Sequence, residues 1–386
     1  MTDPTIRPLC AEDLPALRVL FRDFPHKKHQ QREQGIAPDA LADFFVAGEE
    51  RRLRKTADAN EGLGQWVAVG SDGVVAALAG LDADAWHSRH YPWRFGRIAP
   101  FLTWAAASVQ RTALLDTVLE AAAARGMNHL TTRVDGAEYG AAQTLESRGF
   151  YLVDVSVKLS GALADVPALA PPSRAGGMRI RPAEPGDAGA IRAIAASSHS
   201  CNHYYNDPYL DHVATNALFE AWVERCADGL ASHLFVLDHH GTVVGFVVYL
   251  VPASLNAALG TRLAILDFVC LAPAARGGGV GSWLIADSLR RIGPGPTHVE
   301  LRTSHHNWPA LKCYLGLGMR VVSNDLVLHR HLAASCPQRG IPPWMKSCIR
   351  RSSRSRSHAR RARPCRPSER SARDSLPPRG RKATST

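Results

Sequence analysis

Apolar and polar positions along this chain run through the same order of periods twice. Thr5–Pro8 (TIRP) is a short alternating segment, and the AEDLPALRVLF after it carries apolar residues at helical spacing. Met178–Pro182 (MRIRP) followed by EPGDAGAIRAIAAS repeats that pair. Glu12 or Asp13 is the predicted N-cap of the first helix and Asp187 that of the second. A further block aligns without gaps: HLTTRVDGAEYGAAQTLESRGFYLV from His129 lies on HVELRTSHHNWPALKCYLGLGMRVV from His298. Each copy reads as strand, loop, helix, glycine and strand. Arg133 falls on Arg302, Ala141 on Ala310 and Gly149 on Gly318. Two matching blocks in the same order point to a tandem duplication.

In the second copy a helix is predicted near Asn216–Cys226. SHLFVLD and VVGFVVYLV, joined by the turn His239-His240-Gly241-Thr242, read as a hairpin. LAILDFVCLAP (strand), ARGGGVG (loop), SWLIADSLRRI (helix) and HVELRT (strand) follow. Antiparallel strands succeeded by strand–helix–strand predict an α+β fold with a mixed, mainly antiparallel sheet flanked by helices. The Pro-, Ala- and Gly-rich stretch 161–177 is the predicted linker between domains at 1–160 and 178–334.

Arg276-Gly277-Gly278-Gly279-Val280-Gly281 follows a buried-type strand and opens a helix. A Gly-rich turn there lets backbone N–H groups approach a pyrophosphate, the helix N-terminus adds partial positive charge, and Arg276 adds a cation. Taken alone the loop also fits a flexible turn. No Gly-Lys-Ser/Thr follows it, so it is not an NTPase P-loop. Nor does it have the GxGxxG spacing with a later acid that a Rossmann dinucleotide site requires.

Arg276, Gly279 and Gly281 match the R/Q-x-x-G-x-G/A signature of the GNAT acetyltransferases. Asn307-x-x-Ala310-x-x-x-Tyr314-x-x-x-Gly318 matches that family's second element. The resemblance implies acetyl-coenzyme A as cosubstrate, with the backbone of Val269 and Leu271 holding the pantetheine arm and Arg276 to Ser282 (Gly277, Gly278, Gly279, Val280 and Gly281 between them) holding the pyrophosphate. Asn307 would cap its helix, Ala310 would let the cofactor pass, and the Tyr314 phenol would protonate the departing thiolate. Tyr314 equally fits a tyrosine packed between helix and sheet. Asp267, Glu300, His305 and His306 are candidate bases, and an amine entering deprotonated would need none.

In the first copy Leu145 stands opposite Tyr314 and Glu138 opposite Asn307, and no glycine occurs between Phe101 and Arg125. That half is expected to lack the phosphate loop. An incomplete first half before an active second one is similar to acetyltransferases of nucleotide-linked amino sugars, the dTDP-fucosamine type, over roughly residues 60–332. SHSCNHYYNDPYLD with FEAWVERCADG resembles their aromatic–polar run before Asp-Pro, and AWHSRHYPWRFGRIAP their N-terminal segment. The resemblance puts His203, Tyr204, Tyr205, Asn206 and Asp207 at the mouth for a small-molecule amine; an ordered surface loop accounts for them equally.

Composition changes this picture only at the C-terminal end. Residues 336–386 hold 15 of the 46 Lys/Arg and 2 of the 35 Asp/Glu, leaving 31 basic against 33 acidic residues elsewhere. The formal charge of +11 therefore belongs to the Arg/Ser/Pro-rich segment 335–386, which is expected to be disordered. Nucleic acid is an expected partner only through that segment. Eight scattered cysteines without a CxxC pair, no secretory signal and no apolar run of about 18 residues fit a cytoplasmic protein that does not span a membrane. Transfer to a peptide N-terminus or an antibiotic, and a non-catalytic CoA-binding scaffold tethered by the basic segment, are the competing functions.

Overall fold

The computed structural model describes residues 4–58, 64–198 and 201–332; the basic segment 335–386 lies outside the described residues. The first half runs β1 (Thr5–Pro8), α1 (Leu14–Asp23), α2 (His29–Gln34), α3 (Pro38–Asp58), β2 (Gly64–Val69) and β3 (Val75–Ala83). It continues with α4 (Ala85–His90), β4 (Phe95–Leu102), α5 (Ser108–Ala124), β5 (His129–Asp135), α6 (Tyr139–Ser147) and β6 (Tyr151–Ala162). The second half runs β7 (Met178–Pro182), α7 (Ala188–Ser198), α8 (His203–Asn206), α9 (His212–Arg225), β8 (His233–His239) and β9 (Thr242–Leu250). It ends with α10 (Ala253–Leu259), β10 (Leu263–Leu271), α11 (Val280–Arg291), β11 (His298–Ser304), α12 (Trp308–Gly316) and β12 (Arg320–His331). The α+β reading holds. Among the described residues no helix is long and apolar enough to cross a membrane.

The first strand of each half carries the same clip. Arg7 on β1 grips Asp13 with two hydrogen bonds of 2.6 and 2.7 Å, and Arg181 on β7 grips Asp187 at 2.7 and 2.9 Å. Each carboxylate also accepts the backbone N–H three residues upstream, Cys10 or Glu184. The acids predicted as N-caps thus satisfy the turn before the helix rather than its first N–H groups. The β8–β9 hairpin turns through His240 (φ 52°) and Gly241 (φ 86°), the left-handed pair that matches strand twist.

Among the described residues all strands belong to one sheet, in the order β1-β2-β3-β4-β5-β12-β6-β11-β10-β9-β8-β7. Each half gives its last strand to the other: β6 pairs antiparallel with β11, and β12 with β5. The two exchanged strands pair with each other at the centre, where Asp325 lies opposite Ser156. Those positions are 169 residues apart, the same offset as His129 and His298, so a local two-fold axis passes between them. Residues 1–160 and 178–334, expected as separate domains, accordingly fall within one compact unit.

The exchange carries through to the cores. Leu159 of β6 is buried with Leu284, Leu301 and Tyr314 of the second half. Leu328 of β12 is buried with Leu114, Leu130 and Leu145 of the first. Leu159→Ala and Leu328→Ala are each expected to cost about 2–5 kcal/mol. Because each residue stabilises the half it does not belong to, urea unfolding followed by circular dichroism should stay a single transition in both variants; two separated transitions would contradict an interlocked unit.

Candidate functional site

In the second half β10 and β11 pair in parallel only from Leu263/His298 to Leu266/Leu301. Beyond that point β10 turns to β9, with a bulge between Leu266 and Phe268, while β11 turns to β6. The diverging strands open a cleft of about 710 Å³. Val269, Leu271, Arg276, Gly277, Gly278, Gly279, Gly281 and Ser282 line one side, and Asn307, Ala310 and Tyr314 the other. The two sequence motifs thus meet across a single cavity. Val280 differs: its side chain is fully buried in the core beneath.

Three consecutive glycines at φ 84°, 59° and 85° form the loop, a left-handed run in which any side chain would be strained. They bring the chain to the start of α11, whose first-turn N–H groups have no partner within the helix. Arg276 folds back to donate to the Leu271 carbonyl at 3.0 Å. From the linker, Arg174 donates to the Ala274 carbonyl at 3.1 Å and packs against Gly278. A concave, cationic, N–H-rich end is suited to a pyrophosphate.

Asn307 precedes α12 as expected, but its side chain donates to Thr303 Oγ1 at 3.2 Å instead of capping the helix. One turn past Ala310, the Tyr314 ring is packed in the core and its edge reaches the cleft. Burial raises the phenol well above its ordinary pKa, so it stays protonated. Ser282 Oγ donates to Cys313 Sγ at 3.2 Å on the wall between the two motifs.

The four candidate bases separate clearly. Asp267 occupies the β10 bulge, which turns its side chain to the α9 side of the sheet, where Trp222 Nε1 donates to it at 2.8 Å. Burial raises its carboxyl above the ordinary range. Glu300 is buried and committed: Lys158 lies 2.8 Å away and Gln34 donates at 3.2 Å. His305 and His306 end β11 over Asp154 of β6. Ser304 Oγ donates to Asp154 and lies 2.7 Å from His306 Nδ1, and His305 Nδ1 is 3.5 Å from the same carboxylate. Asp154 was not foreseen, because nothing local in the sequence shows that β6 lies beside β11.

The run His203–Asp207 forms α8 and its exit, over the polar face of the central strands. Arg133 can only donate, so His203 Nε2, 3.1 Å away, must accept. His203 Nδ1–H then donates to His329 Nε2 (3.2 Å), and His329 Nδ1–H to Asp207 Oδ2 (2.7 Å). Desolvation depresses both histidines, which remain neutral. Burial alone would raise Asp207, but hydrogen bonds from His329 and His331 outweigh it and hold the carboxyl well below its usual range. Asn206 Nδ2 adds a 2.8 Å bond to the Val153 carbonyl. Tyr204 lies 2.5 Å from His87 Nε2 of α4, and Tyr205 is bonded to Asn216.

The equivalent cleft of the first half measures only about 190 Å³ and is lined by Thr103, Trp104, Arg111, Glu138 and Gly140 among others. Arg111 reaches from α5 to the Ala106 carbonyl, and a Cβ on Gly140 would fall 2.9 Å from its guanidinium. Leu145, opposite Tyr314, is wholly buried. The α5 N-terminus has no left-handed glycines ahead of it; its N-cap is Ala107 at φ −66°.

Comparison with known proteins agrees with this geometry. Residues 192–319 match the model of the acetyltransferase (GNAT) family. The spore coat polysaccharide biosynthesis protein SpsD of Bacillus subtilis (strain 168) is 27% identical over 151 residues, 39% of this chain, which spans half the length of that relative. A GCN5-related N-acetyltransferase from Sphaerobacter thermophilus has the same fold, with a TM-score of 0.58 at 17% identity over 86% of this chain and 96% of its own. A glucosamine N-acetyltransferase region of a fungal multi-domain β-N-acetylglucosaminidase superposes with a TM-score of 0.54 at 14% identity, over 85% of this chain and 38% of its own. The stretch that matches the acetyltransferase (GNAT) family model, residues 192–319, is the one in which the paired motifs face a single splayed cleft.

Proposed function

We propose that the protein is an acetyl-CoA-dependent N-acetyltransferase acting on a small-molecule amine. The observation that carries this reading is the meeting of the glycine loop and the Asn307–Ala310–Tyr314 face across the opening between β10 and β11. The residues fit the cosubstrate: left-handed glycines for a close backbone approach, orphan N–H groups of α11 for phosphates, and small Ala310 where the arm passes. Acetyl-CoA supplies an activated thioester at this position. Tyr314, protonated at neutral pH, delivers its proton to the sulfur as the carbon–sulfur bond breaks. The surplus proton of the amine goes to Asp267, whose raised pKa makes it a stronger base than an exposed carboxylate. The SpsD relative belongs by its name to polysaccharide biosynthesis, which supports a sugar-borne amine, such as a nucleotide-linked amino sugar, as acceptor.

Tyr314→Phe keeps the ring and removes the proton. It is expected to lower kcat by about 100-fold or more while leaving the Kd for CoA within about twofold; thiol release on an amine panel, beside calorimetric CoA titration, reads both. Unchanged turnover would remove the general-acid role.

Asp267 accepts a proton only when ionised, so kcat/KM should fall on the acid side through a group titrating above the ordinary carboxylate range. In Asp267→Asn that limb should disappear and the plateau should drop by about 100-fold. A limb that survives the substitution would transfer the role to His306 with Asp154.

Removal of residues 336–386 is expected to leave thiol release unchanged; a loss of activity would instead favour a function tethered through the basic segment.

A further inference from the structure

The polar face shared by β5, β12, β6 and β11 holds a guanidinium that, among the described residues, no carboxylate reaches at ion-pair distance. Arg302 on β11 is bonded to Asp325, which also holds Lys27 at 2.7 Å. Glu300 holds Lys158, and Asp154 takes the Ser304 hydroxyl. Arg133, the duplicate of Arg302, has no such partner. It donates one hydrogen bond, to the neutral ring of His203, and among the described residues no carboxylate lies within ion-pair distance of it. One of its five N–H donors is used in that bond.

Arg133 remains accessible to solvent, yet desolvation by the protein around it depresses its pKa. Both hold for an accessible side chain set over a polar sheet face with α8 beside it. That sheet face runs toward the cleft between β10 and β11. Arg133 lies opposite Val327, and Val327 opposite Asp154. Asp154 is bonded to Ser304, three residues before Asn307 at the cleft. Four strands at the usual spacing put the β5 and β11 backbones roughly 14 Å apart, a span an extended acceptor can bridge. α8 lies above this face, with His203 fixing one edge of the guanidinium.

We propose that Arg133 is an anion-binding residue of the acceptor site, so that the amine substrate carries a phosphate or carboxylate group which this guanidinium takes while the amine lies at the cofactor cleft. The inference deepens the acetyl-transfer reading and rests on it for the identity of the ligand as acceptor. It also makes the first half a contributor to the substrate site rather than a bystander. The chemistry is that of guanidinium and oxyanion, in which two parallel N–H donors match two oxygens.

The test reads binding, so that it does not depend on turnover. Full-length protein saturated with CoA, which fills the glycine loop, is titrated calorimetrically with inorganic pyrophosphate and separately with succinate. One of these is expected to bind with a stoichiometry of one, and which one distinguishes a phosphate from a carboxylate acceptor. Arg133→Met should weaken that binding by about ten- to a hundredfold, and Arg133→Lys, which retains the charge, by less. Binding equal in wild type and Arg133→Met would overturn the proposal, as would binding of neither anion. Circular dichroism of both variants shows whether they are folded, and Arg133→Lys keeps the test decisive if the methionine variant is not. If wild type acetylates no amine while anion binding still depends on Arg133, acetyl transfer fails and the anion site stands.

Discussion

The antiparallel pairing of β6 with β12 is the contact on which both halves depend. Each of these strands leaves the half that encodes it and closes the sheet of the other, so neither half has a complete core alone. Leu159 packs under Tyr314 and Leu301, and Leu328 under Leu130 and Leu145. A backbone ladder of this kind is indifferent to side-chain identity. The two halves can therefore diverge on their outer faces while the seam keeps them aligned.

The seam is also where buried charge concentrates. Asp325, on the local axis, is 1% exposed and sits between Lys27 of the first half and Arg302 of the second. Burial alone would raise its carboxyl; the two cations outweigh that and hold it low. Buried ion pairs of this sort add little net stability, but deleting one member leaves an uncompensated charge and costs about 3–5 kcal/mol. Lys158, Glu300 and His29 form a second such group, again drawn from both halves. A central sheet face given over to charges rather than leucines is a poor way to gain stability. It does place oriented donors and acceptors beside the opening of β10 and β11.

Much of this was legible from periodicity and spacing. The strand–helix order, the duplication and the residues that line the cleft between β10 and β11 followed from local patterns, because a glycine loop and the helix face opposite it each lie within one short segment. The exchange of β6 and β12 was not legible, since the alternation of a strand is the same whichever sheet receives it. With it were hidden Asp154 beneath His306 and Arg133 beside His203, contacts between residues in different halves. The bulge between Leu266 and Phe268, which sets Asp267 against Trp222 of α9, was hidden as well, because the single residue that creates a bulge has no signature in LAILDFVCL. Asn307 stands at the N-cap position as expected but makes no side-chain cap; its NH2 donates instead to Thr303, four residues earlier on β11.

The divergence of the two clefts then has a physical direction. In the second half three left-handed glycines keep the backbone thin at the head of α11, and the cleft stays open to about 710 Å³. In the first half the same place has side chains, and Arg111 occupies the space beside Gly140, leaving about 190 Å³. The absence of such glycines narrows the cleft but does nothing to β5 or β6, whose polar face looks away from α5 and toward α8. Arg133 and Asp154 lie on that side, where Asp154 is bonded to Ser304 of the second half. The fused sheet thus gives the two halves one continuous polar face at the seam, without any new element being added to the fold.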